Sequence, residues 1–134
     1  MRAVVVDASA LAAFLFDEER HPGVATIIGD EECEVFVPYL CDVEVVSALR
    51  SAIARRLVDA AGAMEVLDTY QGFPLERVPH LSLLSRVVAL RENFSAYDAT
   101  YVALAEATGA PLHTADHRLA RAVREHTEVE VVEV

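Results

Sequence analysis

Four acidic residues fall where a strand or helix is expected to begin or end. Asp7 closes the apolar run Ala3-Val4-Val5-Val6, Asp116 follows Pro111-Leu112-His113-Thr114-Ala115, and Glu44 and Asp98 stand near helix starts. In a chain that alternates strand with helix, such junctions converge on one edge of the sheet, and open parallel sheets bind their ligands beyond the carboxyl ends of the strands. Carboxylates gathered there without lysine or cysteine make an oxygen-only donor set. That set suits a hard divalent ion, Mg²⁺ or Mn²⁺, rather than zinc.

The elements that must position these residues are marked by apolar periodicity and by Pro, Gly and capping residues. Ala3 to Val6 reads as a buried strand and Ser9 to Phe16 as a short helix capped by Asp7 or Ser9. Pro22 opens a second helix that ends near Gly29. Glu34 to Val37 is the next strand, stopped by Pro38 before a helix from about Cys41 to Arg56 with Val45, Val46, Leu49 and Ile53 inward. Asp59 opens a helix carrying Ala63, Met64, Leu67 and Tyr70 on its inner face, broken by Gly72 and Pro74, and Leu75 to Val78 is a third strand. His80 to about Arg91 reads as helical with Leu81, Leu84, Val88 and Leu90 inward. Asn93-Phe94-Ser95 supplies a turn and cap for Ala96 to Thr108, which Gly109 terminates. Pro111 to Thr114 is a fourth strand, Asp116 to Glu125 a helix, and Val129 to Val132 a closing edge strand. Strands separated by helices throughout imply an α/β fold with a parallel sheet and right-handed crossovers.

The bulk composition is that of a globular domain. With 134 residues, 54% hydrophobic and 25% charged, the chain is one domain that buries roughly two thirds of its unfolded surface. No apolar stretch approaches the roughly 18 residues of a membrane span. Asp7 interrupts any signal-peptide core, and Asp17-Glu18-Glu19 stands where a cleavage site would lie, so a cytoplasmic protein is expected. A formal net charge of −11 excludes a broad nucleic-acid-binding surface and leaves only a local one. All eleven basic side chains are arginine, which excludes chemistry that needs a lysine. Cys33 and Cys41 read as small, partly buried thiols.

The segments Val6-Asp7-Ala8-Ser9-Ala10-Leu11, Pro38 through Glu44 to Leu49 and Arg50, Tyr97-Asp98-Ala99 with Tyr101-Val102-Ala103-Leu104-Ala105, and Thr114-Ala115-Asp116-His117-Arg118-Leu119 together resemble the PIN-domain nucleases. One such segment says little, because an aspartate at a helix start is usually a cap. Four in the family's order, over nearly the whole chain, say more. The resemblance implies one three-layer α/β/α, Rossmann-like domain over residues 1–134 that acts as an Mg²⁺- or Mn²⁺-dependent endoribonuclease on an RNA substrate. At this length it looks most like the VapC-type toxins of type II toxin–antitoxin systems, which implies a homodimer restrained by a cognate antitoxin protein. Carried over by position, Asp7, Glu44, Asp98 and Asp116 are the catalytic, metal-holding quartet, and Ser9 and Thr114 are hydroxyls that orient the acids or a water. The sequence departs from the family's pattern at Ser47, where asparagine is common three residues after the second acid. Serine still donates and accepts a hydrogen bond.

Other readings fit less well. Phosphoacceptor signalling domains and haloacid-dehalogenase-like phosphatases need a lysine, the latter also a second aspartate where Ser9 stands, and P-loop chemistry needs a glycine-rich loop ending in lysine. A catalytically silent PIN-like interaction module is the remaining alternative. His113 and His117 have a zinc-pair spacing only on a helix, and a strand is expected there. Tyr97 and Tyr101 are expected to pack on the core. A solvated helix face explains Arg118, Arg121 and Arg124 more simply than a substrate rim does.

Overall fold

The computed structural model describes all 134 residues. Five strands, β1 (Arg2–Val6), β2 (Cys33–Pro38), β3 (Leu75–Val78), β4 (Leu112–Thr114) and β5 (Val131–Glu133), form one sheet in the order β3-β2-β1-β4-β5. Every pairing is parallel. The crossovers are α1 (Ala8–Phe16), α2 (Pro22–Gly29), α3 (Leu40–Ala54) and α4 (Ala60–Gln71) on the way out to β3, then α5 (Leu84–Ala89) and α6 (Ala96–Thr108) back to β4, and α7 (His117–His126) to β5. Right-handed crossovers place α1 to α4 on one face and α5 to α7 on the other. In keeping with this, α1, α3 and α4 pack on one another and α6 lies across β1, β2 and β4. The result is the expected three-layer α/β/α sandwich.

The core is built where the sequence is most uniformly apolar. Val4, Val5 and Val6 of β1 are at most 1% exposed, as a central strand covered on both faces requires. Seven consecutive residues of α6, Ala99 to Ala105, are buried, so this helix is enclosed on all sides. The winding of the sheet reverses between the parallel strands β1 and β4, whose register pairs Val6 with His113. Asp7 therefore leaves the sheet beside Thr114, and its N–H donates to the His113 carbonyl at 3.1 Å.

The structure departs from the sequence expectations where two apolar stripes share one segment. The stretch read as one helix from His80 splits into a 3₁₀ turn at Leu81–Leu83 and the short α5. Leu83, Val87 and Leu90 turn inward, leaving Leu81, Leu84 and Val88 in solvent. On α3 the buried stripe is Cys41, Val45, Leu49 and Ala52, and Val46 and Ile53 are exposed. Met64 on α4 and Tyr97 on α6 are exposed as well, against expectation. The closing strand lies two residues later than expected at its start. Cys33 and Cys41 are free thiols, and no helix is long and apolar enough to cross a membrane.

Gly109 ends α6 in the left-handed region at φ 67°, with open space around the position of a Cβ. Gly29 ends α2 without positive φ and is equally open. Gly109→Ala is therefore expected to destabilise by about 1–2 kcal/mol, the cost of a Cβ in that conformation. Gly29→Ala is expected to stabilise by about 0.4–1 kcal/mol through the unfolded chain. Urea unfolding midpoints check the opposite signs.

Candidate active site

Each of the four acids is delivered by a different helix whose first residues face the carboxyl edge of the sheet. Asp7 is the N-cap of α1, Glu44 sits in the second turn of α3, Asp98 in the first turn of α6, and Asp116 is the N-cap of α7. Asp7 and Asp116 flank the point between β1 and β4 where the winding reverses, the usual ligand crevice of such sheets. Ser95 caps α6, its Oγ accepting from the Asp98 N–H at 3.1 Å, and so fixes where that turn begins.

Asp7 is the anchor. It is 5% exposed, and hydrogen bonds engage both its oxygens. Oδ1 accepts from Ser9 Oγ at 2.7 Å and from the Ala10 N–H at 2.9 Å, while Oδ2 accepts from Thr114 Oγ1 at 2.5 Å. Ser9 Oγ and Thr114 Oγ1 are 3.2 Å apart and in turn accept from the N–H groups of Ala115 (3.1 Å) and Asp116 (3.0 Å). The two hydroxyls singled out in the sequence thus tie the end of β1 to the loop that presents Asp116. Asp116 Oδ1 accepts from the N–H groups of Arg118 and Leu119 at 2.9 and 3.2 Å.

Electrostatically the four acids form one group centred on Asp98. Burial lifts the Asp7 carboxyl above its usual range, the hydrogen bonds from Thr114, Ser9 and Ala10 offset part of that, and the charge of Asp98 adds to it. Burial also raises Glu44, with Asp98 and Asp7 pushing the same way against a hydrogen bond from Tyr101. Asp98 is raised by burial and then by Asp116, with Ser95 and Arg118 acting in the opposite direction. No three His, Cys, Asp or Glu side chains are gathered closely enough to enclose an ion unaided. Asp7, Glu44 and Asp116 each lie within Coulombic reach of Asp98, and Glu44 also within reach of Asp7. The donor set fits a hard divalent cation on chemical grounds: it is all oxygen, partly buried and short of positive charge. Asp7, with three of its roughly four acceptor sites in use, keeps about one for an ion.

Two features escaped the sequence reading. Tyr101, expected only to pack, is 2% exposed yet donates its hydroxyl to Glu44 Oε1 at 2.7 Å. Its position three residues after Asp98, on the same helix face, was the available signal. Asp42 accepts from Tyr70 Oη at 2.6 Å and from Arg77 Nε at 3.0 and 2.9 Å, a cluster just behind the site. Burial tends to raise the Asp42 carboxyl, but the hydrogen bonds from Arg77 and Tyr70 outweigh it and hold it low. Arg121 and Arg124 pair with Glu125 and Glu133, leaving Arg118 as the arginine of α7 whose charge acts on the acids. His113 lies on β4 and His117 on α7, so they do not form a helical pair. A cavity around Arg86, Glu106, Arg124 and Glu130 lies elsewhere, and none of the four acids lines it.

The PIN domain profile matches residues 4–125, a span that contains all four acids. The chain belongs to the PIN-domain family. Among related PIN proteins, Ribonuclease VapC9 of Mycobacterium tuberculosis is 42% identical over 117 residues, 87% of each chain. Ribonuclease VapC12 of the same organism is 34% identical over 129 residues, 96% of this chain and 98% of the relative. The crystal structure of PAE2754 from Pyrobaculum aerophilum superposes with a TM-score of 0.70 at 28% identity, covering 99% of this chain and 84% of that one. The fold seen here is thus shared with a solved structure over nearly the whole chain.

The raised carboxyls set a sign for stability. A group that binds its proton more tightly when folded contributes stability that is present below its unfolded pKa, about 4 for Asp and Glu, and lost as pH rises through the folded value. In EDTA, the melting temperature is expected to fall as pH rises from that range through the folded values of Asp7, Glu44 and Asp98. Asp98→Asn removes the hub of the repulsion and is expected to melt higher than the wild type at pH 8. Scanning calorimetry across pH checks both.

Proposed function

We propose that this PIN domain is a metal-dependent endoribonuclease, the toxin of a toxin–antitoxin pair. The observation that carries the reading is that Asp7, Glu44 and Asp116 each act electrostatically with Asp98, in a chain whose relatives are named ribonucleases. In this reading the four carboxylates hold Mg²⁺ or Mn²⁺. When bound, such an ion stabilises the charge that builds on the phosphoryl and leaving oxygens and lowers the pKa of an attacking water. The chain's own residues do the rest. Ser9 and Thr114 lock both oxygens of Asp7, so that this carboxylate does not rotate. The burial of Asp7 limits the water that would screen its charge. Carboxylate oxygens of the quartet left free accept the proton that an attacking water loses. Arg118, exposed beside Asp98, supplies local positive charge for a phosphate on an otherwise acidic protein.

The same acidity supports the partner side of the proposal. An arginine- or lysine-bearing antitoxin tail entering the cleft would supply the positive charge of the ion and block RNA. Val43, Val46, Ile53 and Leu57, exposed along α3 and just beyond it, are apolar surface that association into a homodimer would cover. A cytoplasmic setting accords with the free thiols.

Purified protein is expected to cleave RNA with Mg²⁺ or Mn²⁺, to stop in excess EDTA, and to lose about a hundredfold or more of its rate as Asp7→Asn or Asp98→Asn. Even an outer partner of a metal ligand costs 10–100-fold. Induced expression is expected to arrest growth, with relief by either substitution or by the product of the neighbouring small reading frame. Equal cleavage in EDTA, or toxicity that survives both substitutions, would instead favour a binding module.

A further inference from the structure

The two oxygens of Glu44 stand in different circumstances. Oε1 accepts the Tyr101 hydroxyl at 2.7 Å, the one side-chain hydrogen bond Glu44 makes within the protein. Tyr101 is held from every side: its ring is 2% exposed within α6, the most enclosed helix of the fold. Behind it, the Cys41 thiol is fully buried between the Tyr101 and Tyr70 hydroxyls, pushed up to about 11 first by burial and so kept neutral. Tyr70 Oη lies 3.7 Å from Cys41 Sγ and donates to Asp42, which Arg77 grips with a guanidinium stacked 5.8 Å from the Tyr70 ring. The Tyr101 hydroxyl thus has a neutral, packed wall at its back and a carboxylate in front. It carries one proton and gives it to Oε1. A glutamate free to rotate can turn either oxygen to an ion, whereas one whose Oε1 is held by a hydrogen bond has a fixed orientation, with Oε2 the oxygen whose acceptor sites are all free.

We propose that Tyr101 is a positioning residue that fixes how Glu44 meets the ion: its hydroxyl holds Oε1 and turns Oε2, free of hydrogen bonds, to the ion. The inference rests on the ion site proposed above and adds to it a residue outside the acidic quartet. Tyr101 touches neither RNA nor the reacting atoms and acts through Glu44 alone. Tyr70, whose hydroxyl is a comparable buried donor on the far side of Cys41, provides the contrast, since its partner Asp42 belongs to a structural ion pair.

The test is Mn²⁺ binding to the full chain without RNA, by titration calorimetry and by the electron paramagnetic resonance signal of free Mn²⁺. Tyr101→Phe, a deletion of one oxygen from a packed ring, is expected to weaken Mn²⁺ binding about tenfold, the range for an outer partner of a ligand. The Mn²⁺ concentration for half-maximal RNA cleavage is expected to rise by the same factor, with kcat at saturating Mn²⁺ close to the wild type. Tyr70→Phe is expected to lower the melting temperature and keep wild-type Mn²⁺ affinity. In a Glu44→Gln background, Tyr101→Phe is expected to change Mn²⁺ affinity no further, because the two act as one unit. Wild-type affinity in Tyr101→Phe, or an equal loss in both backgrounds, overturns this inference while leaving the ion site standing. A wild type that binds no Mn²⁺ overturns both.

Discussion

The carboxylate of Asp7 is carried out of water at the end of the most deeply buried strand, and the rest of the site is arranged around keeping it there. A charge in that position costs several kcal/mol unless hydrogen bonds replace its hydration. Three do so, from Ser9, Ala10 and Thr114. They come from the start of α1 and the end of β4, so satisfying one carboxylate fixes the relative position of two strands and two helices at the reversal of the sheet. The main-chain N–H groups of Ala115 and Asp116 close on the same two hydroxyls. The loop that presents the fourth acid is therefore folded onto the first.

Onto that anchor the fold adds three more acids, Asp98 and Asp116 from helix starts and Glu44 from the second turn of α3. A helix N-terminus favours a carboxylate by a fraction of a kcal/mol. Burial, and after it mutual repulsion, act the other way and win at Asp7, Glu44 and Asp98, whose carboxyls all lie above their ordinary range. Crowding of this kind is stability set aside for function. The same helix starts also carry the groups that moderate it: Ser95 beside Asp98, and Tyr101 one turn further on. Behind them Asp42, Tyr70 and Arg77 make a compensated ion pair, so the negative charge next to the cleft that has an arginine is the one that takes no part in it.

Where structure is punctuated locally, it was legible in the sequence. Pro22 and Gly29 bound α2, and Ser95 and Gly109 bound α6, because a proline, a hydroxyl cap and a left-handed glycine act through their immediate neighbours. The four acids were legible for the same reason, as residues just beyond strands and at helix starts. The choice between competing apolar stripes was not. In α3 and in the segment after His80, leucines, valines and isoleucines lie on two adjacent faces, and only the packing partner decides that Leu83, Val87 and Leu90 go in while Leu81, Leu84 and Val88 stay out. Tyr101 shows a related limit: its burial follows from helix periodicity, but the carboxylate it meets is 57 residues away in the chain. Long-range pairs such as Arg77 with Asp42 carry no local mark at all.

The most direct measurement of the central claim is the anomalous diffraction of manganese in crystals of the wild type soaked in Mn²⁺. An anomalous peak among Asp7, Glu44, Asp98 and Asp116, with carboxylate oxygens of Asp7 and Asp98 in its coordination sphere, is the expected result. Crystals that show no peak among these four side chains, at a Mn²⁺ concentration where the protein cleaves RNA in solution, would contradict it.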